Sequence, residues 1–273
     1  MPEPTDSATA FGRLHEAGCF VMPNPWDVGS ARVLTHLGFP ALATTSAGFA
    51  WTSGHQDNLV DLDRILAHLS DIVGAVNVPV NADFEGGFAV APDQVAANVG
   101  RAVGTGIAGL SIEDSTGDEG DPLFGFELAV ERIAAARQSI DASGTAVILT
   151  GRTEGFIVGR PDLAETVRRL TAYAEAGADC LYAPGLTTAD QIATVVAAVA
   201  PKPVNLLINQ PFCTVAEAAD LGVRRISVGG ALAKAAWGSF LSAATEIARD
   251  GTFSRLAGTP DVNALLAPDG TEG

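Results

Sequence analysis

The sequence predicts an α/β protein built as a (β/α)8 TIM barrel. Eight short apolar runs alternate with alanine-rich helical stretches, as expected for a barrel of parallel strands. In four places a helical stretch ends at glycine and an apolar strand follows at once. The chain has 273 residues, 47% of them hydrophobic, which is enough for one such barrel. An open doubly wound sheet is the alternative, but no glycine-rich dinucleotide or phosphate motif follows the first strand.

The eight predicted strands fall into two groups. Four of them follow the helix-ending glycines, because glycine tolerates the left-handed conformation that closes a helix. These glycines are Gly38, Gly106, Gly177 and Gly222, and the strands after them lie near residues 41–43, 109–112, 180–182 and 225–228. The other strands are expected over residues 19–22, 78–82, 146–150 and 204–208.

Capping residues mark the starts of three helices. A side-chain oxygen just before a helix can accept a hydrogen bond from the third helical residue. The expected pairs are Asp162 with Glu165, Thr188 with Gln191, and Thr214 with Glu217. We expect one domain over residues 1–273, with a partly irregular C-terminal tail from about residue 252 that contains Pro268 and Gly270.

Charge and hydropathy exclude several classes of partner. The formal net charge is −16, from 32 acidic residues against 16 Lys plus Arg, so nucleic acid and anionic membrane surfaces are not expected to bind. No apolar run approaches the roughly 20 residues needed to cross a bilayer. The N-terminus lacks the basic start and apolar stretch of a signal peptide. We therefore expect a cytoplasmic protein.

The inventory of reactive side chains disfavours two barrel chemistries. The two lysines, Lys202 and Lys234, lie before a strand and within the last long helix, so neither is expected to form a Schiff base in the barrel mouth. The four histidines fall on helices or loops and never at a strand end, so a zinc site has no ligand set.

Acidic residues at the ends of two strands predict a metal-centred site. Asp83 and Glu85 follow one apolar run, and Glu113 and Asp114 end the next. The active sites of such barrels lie at the carboxyl ends of the strands, and oxygen-only ligands suit a hard cation such as Mg²⁺. The sequence therefore predicts a magnesium site facing an anionic substrate, with a pair of solvated loop acids as the alternative.

Two further features are candidates for substrate binding. Arg152 follows an apolar strand and could bind a carboxylate through two parallel hydrogen bonds, although a salt bridge to Glu154 or Glu113 is the alternative. The segment Ser46-Ala47-Gly48 could present backbone N–H groups to an oxyanion.

Three motifs, in order, resemble the signature of the isocitrate lyase and phosphoenolpyruvate mutase superfamily. They are the segments 81–88 (NADFEGGF), 109–114 (GLSIED) and 150–156 (TGRTEGF). The likeness extends from about Phe20 to Trp237. It implies a (β/α)8 barrel whose last helix is exchanged between subunits of a homodimer or homotetramer.

The resemblance also implies a cofactor and roles for residues. The cofactor is Mg²⁺, with Mn²⁺ as a possible substitute, and it binds an α-keto acid or its enolate. Asp83 resembles the direct metal ligand. Asp57, Glu85 and Glu113 are similar to residues that hold metal-bound waters. The substrate contacts implied are Ser46, Ala47, Gly48, Arg152 and Asn205, and the candidate catalytic residues are Arg152, Glu113 and Asp57.

The segment after the Glu113 motif departs from the superfamily pattern. Residues 115–125 read STGDEGDPLFG and lack both the Lys-Cys-Gly-His core of the lyases and the lysine and asparagine of the mutases. True isocitrate lyase, methylisocitrate lyase and phosphoenolpyruvate mutase activities are therefore disfavoured.

The function predicted is that of a Mg²⁺-dependent carbon–carbon lyase or decarboxylase. Its substrate would be a small α-keto or 2-hydroxy carboxylic acid, such as an oxaloacetate-like compound, cleaved through a metal-stabilised enolate. One alternative is a phosphonopyruvate-type C–P bond hydrolase or mutase. Another is a non-catalytic protein that binds α-keto acids.

Overall fold

A sheet of eight parallel strands forms the centre of the computed structural model, which describes residues 4–266. The strands are β1 (Phe20–Met22), β2 (Leu42–Ala43), β3 (Val80–Asp83), β4 (Gly109–Glu113), β5 (Ile148–Arg152), β6 (Cys180–Tyr182), β7 (Val204–Leu207) and β8 (Arg225–Ser227). They follow the order β1-β8-β7-β6-β5-β4-β3-β2. Between the two end strands, the Ala43 N–H donates to the Pro23 carbonyl at 3.0 Å. The sheet is therefore a nearly closed barrel, and the predicted (β/α)8 fold is confirmed.

Helices alternate with the strands and flank the barrel. They are α1 (Pro4–Leu14), α2 (Val28–His36), α3 (Ser46–Thr52), α4 (Leu62–Ala75), α5 (Pro92–Val103), α6 (Phe126–Ala142), α7 (Leu163–Glu175), α8 (Ala189–Val199), α9 (Val215–Asp220), α10 (Ala231–Asp250) and α11 (Val262–Leu265), with a 3-10 turn at Ser254–Leu256. The tail expected from residue 252 thus carries two short helical segments. Pro268 and Gly270, on which that expectation also rested, lie outside the described residues.

The four predicted helix-to-strand joints are present. Their glycines have φ angles of 85° at Gly38, 87° at Gly106, 106° at Gly177 and 89° at Gly222. A side chain would be strained in this left-handed conformation. At Gly177 a Cβ atom would also lie 2.6 Å from Cγ of Arg137, so glycine is needed there for close packing as well.

The three predicted helix starts are also confirmed. Asp162 accepts a hydrogen bond from the Glu165 N–H at 3.0 Å before α7. Complete capping boxes precede α8 and α9, in which the cap residue and the third helical residue bond each other's backbone.

The two faces of the strands have different environments. On β4, the outward-facing Leu110 and Ile112 are buried against the helices. The inside of a barrel of this class is ordinarily filled by branched apolar side chains. Here buried polar side chains occupy the interior positions of several strands, namely Asn81, Ser111, Thr150, Asn205 and Arg225. The barrel interior can therefore hold a polar cavity.

Helix α10 leaves the barrel instead of packing along it. Of its 20 residues only Ala233 is buried. Phe240 and Leu241 expose 58% and 55% of their surface. The exchange of this helix between subunits stays a prediction.

None of the helices within residues 4–266 has the length and apolar character needed to span a bilayer.

Candidate active site

A cavity of about 170 Å³ opens at the carboxyl ends of the strands and continues into the barrel. At its outer end it is lined by Asp83 and Arg152, and its inner part reaches Asn81 and Arg225. Six of the residues predicted from the sequence line it: Ser46, Ala47, Asp57, Asp83, Arg152 and Asn205. The other three, Gly48, Glu85 and Glu113, are not among its lining residues.

Asp83 is held in one orientation at the end of β3. Its Oδ2 accepts hydrogen bonds from the backbone N–H of Ser46 at 3.0 Å and from the Ser46 hydroxyl at 2.9 Å. Its Oδ1 lies 3.1 Å from Nη1 of Arg152. The Asp83 N–H donates to Thr44 Oγ1 at 2.9 Å, which fixes the backbone as well. The carboxylate is therefore preorganised at the cavity wall.

Arg152 lies among three carboxylates. Its Nη1 is 3.1 Å from Asp83 and 3.1 Å from Glu113, and its Nε is 2.5 Å from Glu154. The guanidinium carbon also lies 5.2 Å from the centre of the Tyr182 ring. Burial opposes the charged form of Arg152, but the three carboxylates outweigh it and raise the pKa of the guanidinium. The ion pairs that the sequence left as an alternative for Arg152 are thus present.

Acidic side chains outnumber the cation in this cluster. Burial, together with Asp83 and Asp57, raises the pKa of Glu85 to about 8. Burial also raises the pKa of Glu113 well above its ordinary value, although Arg152 opposes this shift. The pKa of Asp57 is raised by burial and by the neighbouring charge of Asp83. A further positive charge among these carboxyl groups would therefore stabilise their ionised forms.

The chemistry of these donors fits a hard divalent cation. Within residues 4–266, no group of three or more His, Cys, Asp or Glu side chains is arranged closely enough to coordinate one ion directly. Mg²⁺ usually keeps several waters and takes only one or two protein carboxylates, so a complete protein cage is not required. Asp57 and Asp83 face the cavity, while Glu85 and Glu113 add negative charge behind them.

The segment at the start of α3 is largely engaged within the protein. The Ser46 N–H donates to Asp83, and the Gly48 N–H donates to Thr45 Oγ1 at 3.2 Å. The Ala47 N–H lies in the first helical turn, where the helix offers it no carbonyl partner. Gly48 has a packing role, because a Cβ there would lie 2.6 Å from Thr45 Cγ2 and 2.9 Å from Trp26 Cβ.

The sequence profile described as phosphoenolpyruvate phosphomutase matches residues 11–248 of the chain. The chain belongs to this phosphomutase family. An uncharacterized protein of Mycobacterium tuberculosis is 32% identical over 222 residues, which are 81% of each protein. The oxaloacetate decarboxylase of Bradyrhizobium diazoefficiens is 27% identical over 192 residues, which are 68% of this chain and 65% of that enzyme. The superfamily inferred from the three motifs is therefore confirmed.

Solved structures of the phosphomutase family superimpose on the whole barrel. A Burkholderia cenocepacia chain with a provisional lyase/mutase description has a TM-score of 0.94 and 48% identity, covering 97% of this chain and 98% of that one. Oxaloacetate acetylhydrolase, solved with its product oxalate, has a TM-score of 0.84 and 27% identity, covering 95% and 91%. Lyase and mutase chemistry on small keto acids is thus represented among the relatives of this chain.

The loop after Glu113 is folded upon itself. Ser115 and Leu123 form an antiparallel bridge, and the Thr116 N–H donates to the Pro122 carbonyl at 3.0 Å. Thr116 Oγ1 donates to the Asp121 carbonyl at 2.5 Å. No residue of 115–125 is among those that line the cavity. The loop is therefore a folded hairpin beside the site.

The sequence analysis placed one acid wrongly and missed one arginine. Asp114, expected at the barrel mouth beside Glu113, points outward instead, because side chains alternate along β4. It accepts hydrogen bonds from Tyr173, Arg169 and Thr153, so it braces the barrel against α7. Arg225 points into the cavity from β8. Two adjacent arginines, Arg224 and Arg225, within the strand run 223–228 were the available signal for a charged side chain in the barrel.

Proposed function

We propose that this protein is a Mg²⁺-dependent carbon–carbon lyase or decarboxylase acting on a small α-keto or 2-hydroxy carboxylic acid, such as an oxaloacetate-like compound. The observation behind this proposal is the excess of acidic side chains around Arg152 at the barrel mouth. Such an excess is costly unless a cation neutralises it.

The relatives support the same class of substrate. One is an oxaloacetate decarboxylase and another an oxaloacetate acetylhydrolase with bound oxalate. Both names involve oxaloacetate, a small keto acid with two carboxylates.

The proposed metal site is centred on Asp83. Asp83 would be a direct ligand, and Asp57, Glu85 and Glu113 would act through water molecules. Bound Mg²⁺, or Mn²⁺ in its place, would supply positive charge that stabilises negative charge developing on the substrate's keto oxygen.

The protein groups that face the substrate have separate proposed roles. The Ala47 N–H would donate to a substrate oxygen, since the helix leaves it without a partner. Arg152 bonds its carboxylates through Nε and Nη1, so Nη2 remains to contact the substrate. Asn205 Nδ2 donates to Ser227 at 2.9 Å and its Oδ1 accepts from Arg225, so Asn205 would act mainly by shaping the cavity wall.

The direct test is release of pyruvate or another keto acid from a panel of α-keto and 2-hydroxy acids, with and without Mg²⁺. We expect Mg²⁺-dependent turnover by the wild type and a loss of at least about a hundredfold in Asp83→Ala, since even outer ligand-shell changes cost ten- to a hundredfold. Asp190→Ala, which removes an exposed acid on α8, serves as the control. Equal rates in wild type and Asp83→Ala would defeat the metal mechanism.

A second candidate is C–P bond chemistry, favoured by the description of the matching family. The same assay then includes phosphonopyruvate, with release of inorganic phosphate as the readout for hydrolysis. Heat stabilisation by oxalate plus Mg²⁺ without turnover of any panel member would instead indicate a binding protein.

We also propose that a second copy of the chain covers the exposed face of α10, as exchange of this helix in a homodimer or homotetramer would require. The rings of Trp237 and Phe240 pack edge to face, with 5.5 Å between their centres, and both side chains remain exposed in the single chain. We expect light scattering to report a dimer or tetramer for the wild type and smaller species for Phe240→Glu. A monomeric wild type would contradict the proposal.

A further inference from the structure

Arg225 is a buried cation at the inner end of the cavity. Only 1% of its surface is exposed, yet its side chain belongs to the cavity wall. It extends from β8 into the barrel interior and lies over the Phe11 ring, with 6.0 Å between the guanidinium carbon and the ring centre.

The hydrogen-bond partners of Arg225 are uncharged. Its Nε donates to Asn205 Oδ1 at 2.9 Å, and its Nη2 donates to Thr150 Oγ1 at 3.0 Å. Its Nη1 lies 3.3 Å from Nε2 of His15. His15 is neutral at ordinary pH, because burial and the charge of Arg225 lower its pKa to about 3. The His15 Nδ1 group lies 2.8 Å from the Phe11 carbonyl, which leaves Nε2 as the acceptor for Arg225.

The two arginines of the cavity therefore differ in their charge balance. Arg152 is paired with three carboxylates, whereas no carboxylate of residues 4–266 forms an ion pair with Arg225. A guanidinium stays protonated at all ordinary pH values and carries five N–H donors. Three of these donors are engaged in the contacts above, so two remain. A buried charge without a counter-ion is costly, and an anion in the cavity would offset that cost.

A second buried side chain in the same cavity, that of Asn81, has an oxygen without a hydrogen-bond donor in residues 4–266. Asn81 is 3% exposed, and its Oδ1 has no hydrogen bond among the described residues. Its Nδ2 donates to the Ala82 carbonyl at 3.1 Å. A methyl group on Gly109 would lie 2.7 Å from Asn81 Oδ1, so glycine on the neighbouring strand keeps this space open. The inner cavity thus combines an unpaired cation with an unused polar atom, as expected where a polar ligand or water enters.

We infer that Arg225 binds a carboxylate of the small acid at the inner end of the barrel cavity, with Asn205 and Thr150 orienting the guanidinium. This inference rests on the proposed function and adds to it the residue that recognises the anion. An anion is drawn to Arg225 more than to Arg152, because the charge of Arg152 is already neutralised.

The position of this carboxylate restricts the reaction. A carboxylate paired with Arg225 is stabilised as an ion, whereas departing CO₂ is neutral and loses that pairing. Such an interaction favours the ground state over the transition state for decarboxylation. The carboxylate at Arg225 is therefore one that the product retains. The bond that breaks lies toward the Asp83 end of the cavity.

Calorimetric titration of malonate into metal-free protein, in the presence of EDTA, tests the inference without relying on turnover. We expect Arg225→Met to weaken malonate binding by at least about tenfold, the range for loss of a charge-assisted hydrogen bond. Arg225→Lys, which keeps the charge but loses the planar fork, should fall between the two. The matched control is Arg224→Met, because Arg224 donates to the Gly18 carbonyl and does not line the cavity. It should stay within about twofold of wild type. Equal affinities of wild type and Arg225→Met would overturn the inference.

A crystal structure provides the test if Arg225→Met does not fold. Wild-type crystals grown with malonate and EDTA should show a carboxylate against Arg225, and density only beside Arg152 would overturn the inference.

Turnover measurements separate this inference from the proposed function. If malonate binds at Arg225 but no panel acid is turned over with Mg²⁺, carboxylate binding by Arg225 is supported and the enzymatic proposal fails. If turnover is found and KM is unchanged in Arg225→Met, the enzymatic proposal is supported and carboxylate binding by Arg225 is excluded.

Discussion

Glu113 and Asp114 are neighbours in the chain, yet they belong to two clusters that differ in charge balance. Glu113 ends β4 on the inner side and meets Arg152 at the barrel mouth. Asp114 points outward and meets Arg169 on α7 at 3.0 Å. Each acid thus has one arginine, but the groups around each pair differ.

The inner cluster holds an excess of negative charge. Asp83 and Glu154 share Arg152 with Glu113, and burial raises the pKa of Glu113. The buried carboxyl groups reduce this excess either by binding protons or by binding a cation.

The outer cluster satisfies its acid completely. Asp114 accepts hydrogen bonds from the Tyr173 hydroxyl at 2.7 Å, the Thr153 hydroxyl at 2.8 Å and the Glu154 N–H at 2.8 Å, besides Arg169. It is 2% exposed and faces no cavity of the mouth. Unbalanced charge, and not the presence of an acid–arginine pair, therefore distinguishes the candidate site from a structural brace.

Removal of the two acids gives the largest expected contrast. Asp114→Ala leaves Arg169 and Tyr173 without their buried acceptor, so we expect the free energy of unfolding to fall by about 3–5 kcal/mol. Asp83→Ala removes one negative charge from an excess, so we expect a loss of about 1 kcal/mol or less. Urea denaturation of both variants, without Mg²⁺, measures the difference. Equal losses of unfolding free energy would show that the two acids do not differ in their contribution to stability.

Removal of the two arginines tests whether a cation can replace Arg152. Arg152→Met and Arg169→Met should each lose about 3 kcal/mol of unfolding free energy, since each leaves buried acids unpaired. Added Mg²⁺ should restore part of the loss only in Arg152→Met, because only the mouth is built from excess carboxylates that face a cavity. Thermal unfolding with and without Mg²⁺ provides the measurement. An equal response of both variants to Mg²⁺ would argue against a metal site at the mouth.

The stability of the inner cluster should depend on pH through Glu85. The pKa of Glu85 is about 8 in the folded protein against an ordinary value of 4.5. Between these values the unfolded chain releases a proton that the folded chain retains, so Glu85 lowers stability as the pH rises toward 8. At pH 8.5 without Mg²⁺, we expect Glu85→Gln to be more stable than wild type by about 1–2 kcal/mol. This gain is smaller than the free energy that the whole pKa shift represents, because solvent screens the partly exposed Glu85 side chain.

The control for this prediction is the same change at an exposed acid. At pH 4.5 wild type and Glu85→Gln should unfold together, because the wild-type side chain is then largely protonated in the folded state. Glu127→Gln, at an exposed position of α6, should show no gain at either pH. A gain for Glu85→Gln that is the same at both pH values would contradict the charge explanation.

The smallest effect is expected in the loop beside the inner cluster. Asp118 and Glu119 are exposed, and no residue of 115–125 lines the cavity. The double variant Asp118→Asn/Glu119→Gln should therefore keep kcat/KM within about twofold of wild type, as expected for surface changes. A larger change would show that the loop closes over the substrate.

Local sequence patterns were sufficient for the framework of this protein. Apolar runs gave the eight strands, and the glycines Gly38, Gly106, Gly177 and Gly222 gave the joints, because these signals depend on residues adjacent in the chain. Acids at strand ends were predicted to gather at one rim, since parallel strands end on the same side of a barrel. Asp83 does line the cavity there, whereas Asp57, which only the family resemblance implied, lines it from the loop between α3 and α4.

Tertiary structure decided which charges meet and which are left without a partner. Arg152 reaches Asp83 across 69 residues of sequence, and Arg225 meets His15 across 210. The assignment of Glu113 to the mouth and Asp114 to the α7 brace follows from the alternation of side chains along β4 once the barrel has closed. The order of residues thus determined the barrel and the composition of its rim, whereas the charge balance of each cluster came from long-range packing, because electrostatic energies depend on distance and burial in space.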